Sequence, residues 1–169
     1  MNVILNDEIT SLWRETIKEA EHHCAVSLKQ ELETYLASLL ANYSKRPELA
    51  KQVFAFAMLQ AQASQDELAL QQTGDQCLLF AGLFPKRLER KLVKVSYLVD
   101  MGRFAYITLS HRTDDLFSHL AGQFVTLMDV LQSIRAESTL LPLEAYEQWQ
   151  ELGSQRALRI LQSHTHRPL

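Results

Sequence analysis

The sequence predicts an all-α protein, a compact bundle of six or seven helices in one domain. Three observations predict it. Glycine (5) and proline (4) are scarce in 169 residues, so the chain has few places to reverse and long elements are favoured. Apolar residues recur at steps of three and four along most of the chain, the spacing that lines one face of a helix. The short β-like run from Leu92 to Leu98 is bounded by helical patterns and reads as loop equally well.

The first helix is expected to begin at an Asn6 or Asp7 cap, with Asp7 and Glu8 suiting its positive end. Ile9, Leu12, Trp13, Ile17 and Ala20 form its apolar stripe. A break near His22-His23-Cys24 precedes a second stripe of Leu28, Leu32, Tyr35, Leu36, Leu39 and Leu40. Ser44-Lys45-Arg46-Pro47 ends that element, because proline is tolerated only in the first turn of a helix. Pro47 then starts a helix carrying Leu49, Val53, Phe54, Phe56 and Ala57, weakening over Gln60–Gln65.

Thr73-Gly74-Asp75 reads as a turn and an N-cap leading into Leu78, Leu79, Phe80, Leu83 and Phe84, with Pro85 as breaker. Ser96 is a candidate cap for the next helix, with Tyr97, Leu98, Met101, Phe104 and Ala105 on its inner face. Thr113-Asp114-Asp115 opens the clearest helix, which runs through Leu116, Phe117, Leu120, Phe124, Leu127, Met128, Leu131 and Ile134. Pro142 starts the last segment, with Leu143, Tyr146 and Trp149 before Gly153 and with Leu158 and Leu161 after it. A single domain over residues 1–169 follows, with a polar C-terminal tail from about residue 163. A chain of this length buries a substantial core without disulfides.

An apolar fraction of 47% argues against disorder, and a net charge of −3 does not suggest a nucleic-acid binder. The charge is uneven: residues 1–84 hold 11 acids and 6 Lys or Arg, residues 85–169 hold 9 and 11. Cys24 and Cys77 are isolated, with no CxxC, which reads as two buried thiols in a reducing compartment. Residues 1–8 lack the basic and apolar regions of a signal peptide, and no window approaches a membrane span. A cytoplasmic location is expected.

No motif with chemistry in it stands out above plain structural roles. Glu19-x-x-His22 has the spacing of a carboxylate-bridged metal pair, but such sites need a second Glu-x-x-His, and the sequence has none. His111, Asp115 and His119 are spaced by four, yet the expected helix start leaves His111 outside, and His164-x-His166 lies in the polar tail. No metal site and no cofactor is predicted. There is no Gly-x-Ser-x-Gly elbow and no glycine-rich phosphate loop. Leu152-Gly153-Ser154-Gln155-Arg156 resembles the turn of a helix-turn-helix, but Trp149 and Arg159 stand where the touching helices need a small and an apolar residue.

Two features remain. Five cations, Lys86, Arg87, Arg90, Lys91 and Lys94, fall in nine residues and form a candidate basic interaction face, with the solvated side of a core helix as the plain alternative. Gly82, Gly102 and Gly122 each interrupt a helical pattern at a cost of about 1 kcal/mol against alanine. Close helix crossing explains them. The alternative is an apolar pocket near Gly102 lined by Phe80, Tyr97, Phe104 and Tyr106.

Four ordered segments carry a resemblance. Tyr35-Leu36-x-x-Leu39-Leu40, Gly74-Asp75-x-x-Leu78-x-x-x-Gly82-x-Phe84-Pro85, Tyr97-x-x-x-x-Gly102-x-x-Ala105-Tyr106 and Tyr146-x-x-Trp149-x-x-x-Gly153-Ser154 are similar to motifs in a family of uncharacterised bacterial helical proteins. That family often has paired tyrosines where this chain has Tyr97-Leu98. The resemblance implies a bacterial origin and an all-α fold, and it supplies no activity. It marks Asp75, Gly82, Tyr97, Gly102 and Tyr106 as a candidate site. The expected function is a non-enzymatic interaction module that associates with itself or another protein. A small-molecule binding or sensory domain is the alternative.

Overall fold

The computed structural model describes residues 2–45, 66–83, 94–134 and 142–165. Among them are eight helices and no strand, close to the number expected. They are α1 (Asn2–Cys24), α2 (Gln30–Lys45), α3 (Glu67–Leu83), α4 (Val95–Ser110), α5 (Asp115–Gly122), α6 (Phe124–Ile134), α7 (Pro142–Leu152) and α8 (Gln155–Thr165). The helix expected from Pro47 and the cations Lys86, Arg87, Arg90 and Lys91 lie outside the described residues.

α1 already contains Asn6 and Asp7, so neither caps it. It does end at the expected break, in a full Schellman closure. The Val26 and Ala25 amides donate to the Glu21 and His22 carbonyls, and Ala25 takes the left-handed conformation at φ 52. The buried Glu21 carboxylate spans the link and accepts the Leu28 amide at 2.6 Å. α7 ends in the simpler αL closure, with Gly153 at φ 69 and its amide donating to the Trp149 carbonyl at 2.9 Å.

One core joins α1 to α6. Ile17 and Ala20 of α1, Leu32, Leu36 and Leu40 of α2, and Cys77 and Leu78 of α3 pack with Leu98 and Tyr106 of α4. Leu120 of α5 and Phe124, Leu127 and Leu131 of α6 complete it. The α7–α8 hairpin has a small core of its own, Ala145 and Ala157 with Ile160 and Leu161 against them.

Several expectations change. α3 runs unbroken through Thr73-Gly74-Asp75, so Asp75 sits inside the helix and caps nothing. Thr73 returns its hydroxyl to the Ala69 carbonyl at 2.8 Å, and the Tyr106 ring lies where a Cβ on Gly74 would stand. That contact outweighs the low helix propensity of glycine.

On α4 the inner face is Leu98, Val99, Gly102, Ala105, Tyr106 and Leu109. Tyr97 and Phe104 are exposed instead, and the helix starts at Val95, ahead of the Ser96 cap expected. The continuous helix expected over 115–134 is two, α5 and α6, parted at Gln123. Gly122 therefore stands at a helix end, with open space around its Cβ position, and makes no close crossing.

Candidate functional site

Asp75 lies at the centre of a buried polar cluster. Being inside α3, it has no free backbone amides to cap, and its carboxylate points toward α2 and α4. Tyr35 of α2 and Tyr106 of α4 each donate a hydroxyl to the same oxygen, Asp75 Oδ1, both at 2.6 Å. Gln71, one turn earlier on α3, donates to the Tyr35 hydroxyl at 3.3 Å. Phe117 of α5 closes the group, edge-on to Tyr35 at 6.2 Å and tilted against Tyr106 at 6.0 Å. Three helices therefore meet at one carboxylate, and a fourth packs against their tyrosines.

Burial raises the Asp75 carboxyl to about 6, and the two phenols pull it back only partly. Burial, reinforced by the Asp75 charge, pushes both phenols well above the ordinary tyrosine range. The hydroxyls therefore stay protonated and act as donors. The mobile proton of the cluster is that of Asp75, held or released near neutral pH. Tyr106 is sealed from solvent. Tyr35 is not: it lines an open groove of about 680 Å³ with Gln30, Glu31, Thr34 and Ser38 of α2 and Leu116 of α5. Glu31, at that rim, is 2.7 Å from His119 Nδ1.

Compared with protein-family models, curated proteins and solved structures, the chain matches none.

A second polar network fastens the hairpin. Ser154 caps α8 by accepting the Ala157 amide at 3.1 Å and donates its own proton to Asp129 Oδ1 at 2.6 Å. The Arg156 guanidinium donates to Gln132 Oε1 at 2.8 Å, and Gln132 Nε2 donates to the Ala81 carbonyl of α3. Burial lifts Asp129 to about 6, against the pull of Ser154 and Arg156. Cys24 of α1 donates its thiol to the Asp129 carbonyl at 3.4 Å. Burial raises both thiols, Cys77 to about 12, so neither is an activated nucleophile.

Of the five residues singled out from sequence, the structure joins two, Asp75 and Tyr106. Gly102 stands against the Phe124 ring, which would be 2.5 Å from a Cβ there, and Gly82 stands against Leu131. Both glycines serve close helix packing, so the space beside Gly102 and Tyr106 is filled by Phe124. Tyr97 is exposed and separate from the cluster. Lys94 is exposed at the start of α4. Among the described residues, no three His, Cys, Asp or Glu side chains gather as a metal site.

The sequence reading missed the part Tyr35 plays and missed Asp129. Signals for both were present. Tyr35 interrupts an apolar helix face, and Asp129 interrupts Leu127-Met128-x-Val130-Leu131. A hydroxyl or carboxylate in such a place must find a buried partner.

Proposed function

We propose that this chain is a non-enzymatic interaction module of the cytoplasm, binding a protein partner through α4. The outer face of α4 carries the argument. Tyr97, Phe104 and Ile107 are 51%, 67% and 43% exposed and share one side of a helix whose other side is core. Large apolar side chains clustered at a surface mark interaction sites, and aromatic ones contribute most to binding. α7, which touches α4, adds the exposed Tyr146 and Trp149, rings 6.4 Å apart. No described helix is long and apolar enough to cross a membrane.

The test is Phe104→Glu, which changes only an exposed position. The variant is expected to keep the thermal midpoint of the parent and to lose association measured by sedimentation or pull-down. Undiminished association would remove α4 from the interface.

A second reading has its own observation, the groove that reaches Tyr35. A small polar ligand seated on Thr34, Ser38 and Leu116 would touch the hydroxyl that holds Asp75. Native mass spectrometry with an absorbance spectrum, on gently purified protein, tests this. A bound mass retained by the parent and lost in Thr34→Trp supports the groove. A bound mass that survives Thr34→Trp, or a parent without one, counts against it.

A further inference from the structure

The partner of α4 can be narrowed by its charges. On the exposed side of the helix Asp100 stands between Tyr97 and Phe104, one turn from each, and Arg103 follows on the flank. A partner covering the apolar residues must also cover Asp100, and a carboxylate taken out of water needs a cation. Arg103 of the same helix is three residues away. In a second copy running antiparallel, with the two-fold axis between Met101 and Gly102, residue 100 of one helix lies level with residue 103 of the other. Each Asp100 then meets an Arg103, twice by symmetry. Tyr97 falls between Phe104 and Ile107 of the second copy. A parallel pairing would instead set Asp100 on Asp100 and Arg103 on Arg103, which like charges oppose.

We propose that α4 is the seam of an antiparallel two-fold dimer of this chain, its register set by reciprocal Asp100–Arg103 pairs. This rests on the α4 reading above and names the partner as a second copy. An isologous patch must be its own complement, and a face carrying one acid and one base on either side of its midpoint meets that condition. α4 has 16 residues and is therefore about 24 Å long. A single pair of such helices covers less than the roughly 800 Å² per partner of a standard interface. The dimer is therefore weak and depends on concentration.

Sedimentation equilibrium of the full chain over a range of concentrations tests it, with Asp100→Arg, Arg103→Asp, the double exchange and Phe104→Glu. The parent is expected to approach twice its 19.4 kDa. Either single charge reversal should weaken dimerisation at least about tenfold, which is about 1.4 kcal/mol. The double exchange should recover most of that loss, because it rebuilds both pairs with their signs swapped. A parent that stays monomeric at every concentration overturns the dimer, and leaves α4 open only to a different protein. A dimer sensitive to Phe104→Glu but indifferent to the charge reversals overturns the antiparallel register alone. A dimer indifferent to all four variants overturns both the seam and the α4 reading.

Discussion

Asp75→Asn separates the cost of burying a charge at the four-helix junction from everything else that titrates in the protein. The folded carboxyl lies at about 6 against an ordinary 3.8. An acid whose pKa is raised by folding binds its proton more tightly in the native state, so stability declines as pH rises through that interval. The contribution is most favourable below about pH 4, is lost between about pH 4 and 6, and is flat above. A shift of roughly two units is about 3 kcal/mol.

Asparagine keeps the shape and an oxygen to accept the Tyr35 and Tyr106 hydroxyls, but it has no proton to lose. The stability of Asp75→Asn minus that of the parent should therefore grow by about 3 kcal/mol between about pH 4 and pH 7. Urea unfolding followed by circular dichroism, at constant ionic strength, measures it. Asp129 and Glu21 are also raised by burial, but they titrate in both proteins and cancel in the difference. A difference that stays level across that pH range would mean that Asp75 titrates like a surface acid, and the reasoning from burial would fall.

Two further outcomes follow from the packing and the hairpin. Gly102→Leu places an isobutyl group into the Phe124 ring and the Cys77 side chain; overpacking costs about 1–3 kcal/mol, and a clash of this size belongs at the upper end. A lowered urea midpoint is expected, and an unchanged one would show that Phe124 can swing aside. Asp129→Ala strands the Ser154 hydroxyl and the Arg156 amide, at about 1.5–3 kcal/mol for a hydrogen bond to a charged group. Hydrogen exchange should quicken across residues 142–165 more than in α2. Uniform acceleration would mean the hairpin is not separately fastened.

What was legible in the sequence was set by period. Repeats such as Leu32, Leu36 and Leu40, or Leu127, Met128 and Leu131, have one apolar face each, and the structure buries it. α4 has two competing faces. One carries Tyr97, Phe104 and Ile107 but also the charged Asp100 and Arg103; the other carries Leu98, Val99, Ala105, Tyr106 and Leu109 around Gly102. The two large aromatics point a reading by size to the first, and the fold buries the second, where Phe124 fills the space that Gly102 leaves.

The candidate site was half legible for the same kind of reason. Asp75 and Tyr106 stand in two of the four ordered segments singled out from sequence, Tyr35 opens a third, and Gly153-Ser154 ends the fourth. Their meeting is a property of how α2, α3 and α4 cross. Residues 31 and 40 positions from Asp75 are joined by no helical period. The reading of Asp75 as a cap failed because Thr73-Gly74-Asp75 has the local chemistry of a turn. In the fold the segment is helix, with the distant Tyr106 ring packed against Gly74.

The thiol of Cys24 and the carbonyl it meets at Asp129 are 105 residues apart in sequence. α1 packs chiefly on its neighbour α2 and on α6. On a ribosome adding about 5–20 residues each second, α6 follows α1 by on the order of ten seconds. For that interval Ile17 and Ala20 have α2 to cover them and nothing on their α6 side. α1 is thus made well before its packing is completed, and its apolar stripe is the surface a chaperone would meet on the nascent chain.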